Sequence, residues 1–314
     1  MSQCHLSTHD GFTSIKPRTN LATLAWLTVM VVLWGMSWPA TKLALGTVPP
    51  LWLAASRFGS AAICLFTFCA LRGTLRFPTV KDWPIVASIG LLQMTAFSAL
   101  GMVAMTHTDT SRAVLLAYTT PLWAVIMGWL LFKQAPSRRQ LIALAVGLVG
   151  IGIICSPLEV DWTERKILLG CAFLLAGAIC WSIVILHIKR HNWYASPLDL
   201  APWQMLIATI SLSAFAYALE GSPARIVFSE ELIELMFFIG PVATSACFVI
   251  SAEYGRRITA FAMSNFTLGV PLIGILSSIM FLGNRITLPF TLGLVLVIIS
   301  MLLAAWATKR PVAM

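Results

Sequence analysis

Long apolar stretches follow one another along most of this chain, each close to the length of a membrane-crossing helix. A helix needs about 20 mostly apolar residues to cross the roughly 30 Å of hydrocarbon in a bilayer. The sequence contains ten such stretches: 22–44, 50–70, 83–106, 110–132, 139–156, 167–188, 197–219, 232–254, 258–282 and 286–307. The stretches are apolar on every face, which is not the alternation of a transmembrane β-barrel. The sequence therefore predicts an all-α membrane protein with ten transmembrane helices.

The composition supports this fold class. Hydrophobic residues make up 59 % of the 314 residues and charged residues only 11 %, against about 25 % charged in a typical soluble domain. Too few charges are present to cover a soluble fold of this size. This excludes an ordinary cytosolic enzyme, a disordered protein and a disulfide-stapled secreted module, and it makes the lipid bilayer the main partner of the surface.

The basic residues predict how the chain is oriented. Fourteen of the 21 lysines and arginines flank the side of the membrane where the chain begins, and five flank the opposite side. Because cytoplasmic loops are enriched in such residues, both termini are expected in the cytoplasm, with the chain in the plasma (inner) membrane. The stretch 22–44 is too long for a signal-peptide core and is expected to be retained. This distribution explains the net charge of +9 without a nucleic-acid partner.

The chain offers no clear metal or cofactor site. Cys4, His5 and His9 lie on the polar amino-terminal tail, where no fourth ligand follows nearby, so a mobile tail is favoured over a metal site. The seven cysteines show no paired spacing, and six lie within spans, where a thiol acts as a small apolar filler. We expect no cofactor and no metal.

An internal repeat emerges when the chain is compared with itself. Shifting residues 21–70 by 147 positions aligns Trp34 with Trp181 and Lys42 with Lys189, with 13 identities in 50 positions and no gap. Beyond the second loop the offset becomes 150. That offset aligns Gly90 with Gly240, and Pro121 with Pro271.

Each repeat holds five spans. Five is odd, so the second copy must cross the membrane in the opposite direction, and inverted repeats place a binding site at the midplane between the copies, as in many secondary transporters. The predicted organisation is a cytoplasmic tail, a first repeat, an outer linker, a second repeat and a cytoplasmic tail, at residues 1–20, 21–156, 157–166, 167–308 and 309–314. The sequence thus predicts a central cavity and a protein that works by alternating access.

Several motifs resemble those of a known family. Trp34-Gly35-Met36-Ser37-Trp38 followed by Lys42, and LGVPLIGILSSIMFLGN at 268–284, resemble signatures of the EamA family in the drug/metabolite transporter superfamily. The resemblance implies a 5+5 inverted bundle that moves amino acids or other metabolites, usually outward, with spans 5 and 10 at the periphery. The family often carries Glu where this chain has Gln134 and Asn284. We interpret that Glu as a helix-start cap, although a coupling role, lost here, is the alternative.

Aromatic residues deep in the spans are the first candidate solute contacts. Trp34 and Trp38 are one helical turn apart and share a face of span 1, and Trp181 is the repeat mate of Trp34. Tryptophan normally collects at membrane interfaces. These residues are therefore interpreted as an aromatic wall of the cavity, with packing against neighbouring helices as the alternative.

Arg57 lies about 10 Å below the outer end of span 2, with no acidic residue at matching depth. A charged residue inside a membrane is a functional candidate by default, and a carboxylate-bearing solute is one source of the missing counter-charge. The alternatives are that Arg57 extends to the outer headgroups or has a structural role shared across the resembled family.

Other polar groups and prolines complete the predicted site. Polar groups in lipid face the bundle interior, so Gln93, Tyr118, Ser245 and Asn265 are predicted to line the pathway, while Gln204 is expected to bond a neighbouring helix. The prolines inside spans are candidate hinge or gating positions: Pro39, Pro121 and Pro271.

Two further features bear on partners and energy. Ala143 and Gly147 form a small-residue face suited to close helix contact, either with another span or with a second subunit in a homodimer. No carboxylate lies at the midplane, and Glu253 is expected to pair with Arg257 near the cytoplasmic end. This pattern predicts a facilitative exporter of a small-molecule solute. A non-transporting membrane scaffold is the alternative, and a membrane-embedded enzyme is disfavoured because no catalytic cluster is present.

Overall fold

The computed structural model of the protein describes most of the chain, namely residues 21–156, 163–223, 226–255, 257–258, 263 and 266–307. The predicted tails, most of the predicted outer linker and Asn265 lie outside the described residues, as do Cys4, His5 and His9.

Every regular element in these ranges is helical. The helices are α1 Leu21–Ala44, α2 Pro50–Leu71, α3 Trp83–Met105, α4 Thr110–Phe132, α5 Arg138–Ile154, α6 Arg165–Ile188, α7 Pro197–Glu220, α8 Glu230–Gly255, α9 Gly269–Leu282 and α10 Leu288–Ala307. Within the described chain, seven helices (α1–α4 and α6–α8) are long and apolar enough to cross a membrane, and α5, α9 and α10 contain shorter apolar runs. The all-helical membrane fold predicted from the sequence is confirmed.

Contacts between helix ends define two opposite ends of the bundle. At the end that carries the start of α1, here called the near end, Arg72 after α2 pairs with Glu253 at the end of α8, at 3.0 Å. At the opposite, far end, Glu220 at the end of α7 accepts hydrogen bonds from the backbone N–H groups of Leu51 and Trp52 at the start of α2. Consecutive helices therefore run in alternating directions. The Glu253 carboxylate thus pairs with a residue that follows α2, and Arg257, which the sequence suggested as its partner, donates from Nε to the Glu253 backbone carbonyl at 3.2 Å.

The packing pattern is unchanged when each of α1–α5 is exchanged for the helix five places later. Helix α1 packs on α9 and α8, and α6 packs correspondingly on α4 and α3. Likewise α2 packs on α8 and α7 on α3. The remaining major pairs, α2 with α7 and α5 with α10, join helices that occupy the same place in the two halves.

Helices α3 and α8 both contain a segment of π-helix at matching positions. The segments are Ile89–Ala96 and Phe238–Ala246. In each, a threonine hydroxyl donates to the carbonyl five residues earlier at 2.8 Å: Thr95 to Gly90, and Thr244 to Ile239. Such segments widen the helical turn and are common at functional sites.

One glycine in each half of the chain, Gly90 and Gly240, allows two helices to cross closely. A Cβ on Gly90 in α3 would lie 3.0 Å from the carbonyl oxygen of Gln204 in α7. A Cβ on Gly240 in α8 would lie 3.0 Å from the carbonyl oxygen of Arg57 in α2. These four residues are the ones aligned by the offsets of 150 and 147, so the same crossing is built twice.

Helices α5 and α10 pack against each other through small residues. The Ser300 hydroxyl donates to the Ala143 carbonyl at 2.6 Å, and a Cβ on Gly150 would lie 2.9 Å from the Gly293 carbonyl oxygen. Ala143 and Gly147 are buried within the chain. The partner of this small-residue face is thus another helix of the same molecule, and a homodimer would have to use a different face.

The loop before α5 corrects the expected capping role of Gln134. Helix α5 begins with a capping box, in which Ser137 and Gln140 each accept the other's backbone N–H, so the cap lies three residues beyond Gln134. Asn284, the repeat mate of Gln134, donates to the Ser111 hydroxyl at 3.2 Å and joins the end of α9 to the start of α4.

Candidate functional site

A cavity of about 1050 Å³ lies between the two halves of the bundle. This volume is at the upper end of the range for small-molecule sites, roughly 300–1000 Å³. Its walls come mainly from α1, α3, α4, α6 and α8, with smaller contributions from the other helices. The region between the two halves is therefore hollow. A non-transporting scaffold, the alternative considered above, would be favoured by a solid core in this region.

The cavity reaches the near end of the bundle. Gln134 after α4, Gln140 in the first turn of α5, and Lys189 and Arg190 after α6 all line it. Arg190 also places its guanidinium carbon 3.7 Å from the ring centroid of Phe132, at the near end of α4. The mouth of the cavity is thus formed by the near ends of α4, α5 and α6.

At the far end, the first half of α4 is buried and a lysine of α1 binds the end of α3. Every residue of Thr110–Ala117 is buried, so this segment is packed on all sides. The Lys42 ammonium donates to the carbonyls of Met105 and Thr108, the latter at 3.1 Å. Carbonyls at a helix end have no intrahelical partner and carry partial negative charge. Lys42 therefore fastens α1 to the end of α3 where the cavity stops.

Aromatic rings from four helices meet in the middle of the cavity. The Trp38 and Tyr118 ring centroids are 6.2 Å apart, those of Tyr118 and Trp181 are 6.0 Å apart, and those of Trp181 and Phe97 are 4.7 Å apart. Trp34 lines the cavity as well. All the aromatic residues proposed from the sequence are brought together here. Phe97 is a further member that the sequence analysis missed, because phenylalanine in an apolar span carries no distinguishing signal.

Arg57 lines the cavity from α2 and is held by a helix of the other half. Its Nε donates to the Thr244 hydroxyl in the π-helical segment of α8, at 2.8 Å. No carboxylate among the described residues forms an ion pair with it. Because the side chain reaches across to α8 near the middle of the bundle, the structure favours a cavity position over extension to the headgroups.

The predicted polar residues are placed differently from one another. Gln93 lines the cavity, whereas Ser245 is buried and donates to the Pro241 carbonyl at 2.8 Å. The residue beside it, Thr244, lines the cavity in its place. Gln204 is buried, but its Oε1 accepts no hydrogen bond from the described residues. Among those residues, the hydrogen bond expected between this side-chain oxygen and a neighbouring helix is therefore absent.

The three prolines have distinct local effects. Helix α4 is interrupted at Tyr118 and Thr119, just before Pro121, because a proline cannot bond to the residue four places earlier and its ring crowds that carbonyl. Pro271 likewise follows a non-helical residue, Leu268, by three positions. Pro39 lies buried inside a continuous α1. Two of the three proposed hinges therefore coincide with interruptions at the cavity wall.

A buried carboxylate joins two loops beside the cavity mouth. Asp82, just before α3, accepts hydrogen bonds from the Thr79 hydroxyl at 2.9 Å and the Tyr194 backbone N–H at 3.2 Å, and contacts His191 Nε2 at 3.2 Å. Burial acts to raise the pKa of Asp82, but the contact with His191 and the other two donors outweigh it and hold that pKa below its usual range.

A helical bundle with a cavity of this size, reaching one end of the bundle and lined by aromatic and polar residues, is typical of one class: membrane carriers of small molecules. The sequence profile of the EamA-like transporter family matches this chain twice, over residues 21–156 and 168–306. The chain belongs to that family and is a multi-pass membrane transporter.

Relatives of similar length support this assignment. The chain is 23 % identical over 293 residues to "Uncharacterized transporter YvbV" of Bacillus subtilis, which covers 93 % of this chain and 94 % of the relative. It is 25 % identical over 280 residues to the "Probable amino-acid metabolite efflux pump" of Escherichia coli, covering 86 % and 90 %. A solved crystal structure with 19 % identity shares the fold, with a TM-score of 0.60 over 93 % of this chain and all of that one.

Proposed function

We propose that this protein exports small organic metabolites by alternating access between two inverted repeats, residues 21–156 and 167–308. The observation that carries the proposal is the cavity, which reaches the near end, while at the far end the start of α4 is buried and Lys42 binds the end of α3. A protein with such a cavity moves solute when the cavity becomes accessible from the far end and inaccessible from the near end. The near end carries most of the basic residues and is assigned to the cytoplasm, so both termini are assigned there and the membrane is the inner membrane.

The matching contacts of the two halves support the inversion. The Gly90 crossing on Gln204 and the Gly240 crossing on Arg57 have the same spacing, and the π-helical segments fall at equivalent positions. Helices running in alternating directions, five to a repeat, give the two repeats opposite orientations. A structure of this kind has a second state of similar energy, obtained by exchanging the conformations of the two halves.

Lys42 and Lys189 provide a physical means of alternation. Lys42 is fastened to the end of α3 at the closed end, while its repeat mate Lys189 is exposed at the open mouth. The offset of 150 aligns Met105 and Thr108, whose carbonyls accept from Lys42, with Gly255, the last residue of α8, and Ile258, which follows it. In the opposite state, Lys189 would bind those carbonyls and Lys42 would be released.

The solute is proposed to bind among the residues that converge in the cavity. Trp34, Trp38, Tyr118 and Trp181 supply an aromatic wall, and Gln93 and Arg57 supply polar contacts. Pro121 and Pro271 are the proposed hinges of α4 and α9. Because relatives are named amino-acid metabolite efflux pumps, amino acids and their derivatives are the first candidates. No carboxylate lies among the described lining residues, which supports facilitated export without a buried acid.

A metabolite-efflux screen with a matched pair of tryptophan variants tests the proposal. Cells that overproduce the protein are loaded with metabolites, and their release is followed by mass spectrometry. Trp181→Ala removes a cavity wall and is expected to lower release at least about tenfold, the effect of losing about 1.4 kcal/mol of interaction. Trp129→Ala, at a side chain 54 % exposed on α4, serves as the control. Release that is equal in both variants, or no release by the parent protein, contradicts the proposal.

A further inference from the structure

We infer that the cargo is a net-anionic organic molecule, with an oxyanion head held by Arg57 and an apolar body held against the aromatic rings. This inference rests on the proposed function and names the chemical class of its solute. It is carried by the charge of the cavity wall and by the way in which Arg57 is held.

The charge of the cavity wall has one sign. The charged residues among the described lining are Arg57 inside the cavity and Lys189 and Arg190 at the mouth, with no aspartate or glutamate. Acidic residues close to the cavity are engaged elsewhere, Glu253 with Arg72, Asp109 with Arg112 and Asp82 with His191. A cleft lined by one sign of charge concentrates solutes of the opposite sign. The mouth therefore attracts anions, and the interior disfavours cations.

Arg57 has a free hydrogen-bonding edge. Its Nε is occupied by Thr244, and Thr244 in turn donates to the Ile239 carbonyl, which fixes the guanidinium. The two terminal nitrogens form no hydrogen bond with a described residue, and the guanidinium carbon lies 5.8 Å from the ring centroid of Phe58. A charged group away from bulk water needs a counter-charge, and the planar fork of arginine matches the two oxygens of a carboxylate or phosphate.

The rest of the cavity fits an apolar body. The rings of Trp38, Tyr118, Trp181 and Phe97 form a continuous series in the cavity that Arg57 also lines. The thioethers of Met94, Met102 and Met105 add adaptable apolar surface. A zwitterionic amino acid would place its ammonium group in this cationic cavity with no carboxylate to receive it. A molecule of the same shape without the ammonium group avoids that repulsion, so among the amino acids and derivatives proposed above the anionic derivatives are favoured over the zwitterions.

A series of compounds with one ring and different charges tests the inference on the full-length protein. The compounds are phenylpropanoate, phenyl phosphate, phenylalanine and phenethylamine. Uptake into proteoliposomes is measured together with the ligand-induced shift in melting temperature of the protein in detergent, because binding stabilises the folded state. Phenylpropanoate or phenyl phosphate is expected to move at least about tenfold faster than phenethylamine and faster than phenylalanine, as loss of a charge-assisted contact predicts. A preference for phenylpropanoate identifies the oxyanion as a carboxylate, and a preference for phenyl phosphate identifies it as a phosphate.

Arg57→Gln is expected to remove the preference for anions and the anion-dependent shift in melting temperature. Trp129→Ala is the control and is expected to retain both. If Arg57→Gln does not fold, the series on the parent protein still decides, and Arg57→Lys, which keeps the charge without the fork, is expected to fall between the parent and the glutamine variant.

The outcomes separate this inference from the proposed function. Transport of phenethylamine or phenylalanine at rates equal to the anions overturns the inference and leaves the transporter proposal standing. An Arg57-dependent melting shift with anions, without flux of any compound, supports the solute class and contradicts the transport proposal. Neither flux nor shift with any compound overturns the inference, and so does an anion preference that survives in a folded Arg57→Gln protein.

Discussion

At the scale of single residues, Asp82 shows how a buried charge organises the near end. Its carboxylate links the turn before α3 to the segment that follows α6, through Thr79, His191 and the backbone N–H of Tyr194. The side chain is fully buried, so each of these donors replaces a water molecule. The loop that begins next to Lys189 and Arg190 is thereby fixed beside the cavity mouth.

This arrangement predicts a pH-dependent contribution to stability. Because the folded protein lowers the pKa of Asp82, its stabilising effect is present above the unfolded pKa of about 3.9 and is lost as pH falls toward the folded value. We expect Asp82→Asn to reduce stability by about 1–3 kcal/mol at pH 7. The difference from the parent protein should shrink below about pH 4. Unfolding in detergent at several pH values measures this.

Glu234→Gln, at an exposed position of α8, is the control for the Asp82 experiment and should leave the pH profile unchanged. A difference between Asp82→Asn and the parent that stays constant from neutral to acid pH would show that the contacts of Asp82 do not depend on its ionisation.

The sequence predicted which residue types face the cavity better than it predicted individual positions. Trp34, Trp38, Arg57 and Gln93 were proposed because large aromatic and polar groups deep in a membrane span face the bundle interior, and all of them line the cavity. Their contact with solute remains a prediction. Ser245 was proposed by the same reasoning but donates to the Pro241 carbonyl; it lies within the π-helical segment of α8, whose wider turn does not follow α-helical spacing. No sequence pattern used above reveals such a segment.

Contacts across the bundle were the least predictable at this scale. Glu253 has an arginine four residues later, and Arg257 does donate to the Glu253 backbone carbonyl, but the Glu253 carboxylate also forms an ion pair with Arg72, which follows α2. Similarly, Arg57 is held by Thr244, which is 187 positions away. Local spacing along a helix carries no information about which residue of a neighbouring helix lies opposite.

At the scale of helices, α4 and α9 end in the same unusual way. The residues that cap their C-termini, Lys133 and Gly283, both have left-handed backbones, with φ of 53° and 66°. The backbone N–H groups of the next residues, Gln134 and Asn284, return to the carbonyls of Gly128 and Ser278. This is the geometry in which glycine is preferred, because other residues are strained there.

Exchanging residues at these helix ends should therefore have opposite effects on stability. Lys133→Gly relieves a left-handed lysine and is expected to stabilise the protein by about 0.5–1 kcal/mol, while Gly283→Ala is expected to destabilise it by about 1 kcal/mol. Denaturation of the purified protein in detergent gives both values. Gly221 has a φ of 82° and ends α7 without a nearby side chain, so Gly221→Ala provides a second comparison. Effects of the same sign at Lys133 and Gly283 would contradict the prediction.

Helix positions were predicted well where apolar length decides them. The predicted spans 22–44 and 110–132 agree with Leu21–Ala44 and Thr110–Phe132 within one residue, because a bilayer requires a fixed length of apolar helix. Within the predicted span 258–282, the structure describes the helix Gly269–Leu282, which begins after a non-helical residue, Leu268. Pro271 signalled a disturbance there, but hydropathy alone cannot distinguish an interrupted helix from a continuous one.

At the scale of the whole molecule, the two halves of the chain contain the same arrangement of contacts, with one exception at the lysine pair Lys42 and Lys189. The glycine crossings, the π-helical segments and the left-handed helix ends all recur at matching positions in the two halves. The lysine pair does not share this equivalence, because Lys42 is bound at the far end while Lys189 is exposed at the near end. A symmetric scaffold with one asymmetric contact is what a two-state carrier requires, since the contact selects between two arrangements of similar energy.

Removing each lysine in turn should shift the protein in opposite directions. Lys42→Met eliminates the bond to the end of α3 and is expected to open the far end, whereas Lys189→Met is expected to keep the far end closed.

A single cysteine at Ser98→Cys, in the cavity wall, reports whether the cavity is accessible from the far end in an otherwise cysteine-free protein. It is labelled in sealed vesicles with a membrane-impermeant maleimide from the far side. Loss of two hydrogen bonds to a charged group, worth about 1.5–3 kcal/mol each, predicts at least about tenfold faster labelling for Lys42→Met. Lys166→Met, an exposed lysine at the far end, is the control. Equal labelling in Lys42→Met and Lys166→Met would mean that the contact of Lys42 with the end of α3 does not hold the far end shut.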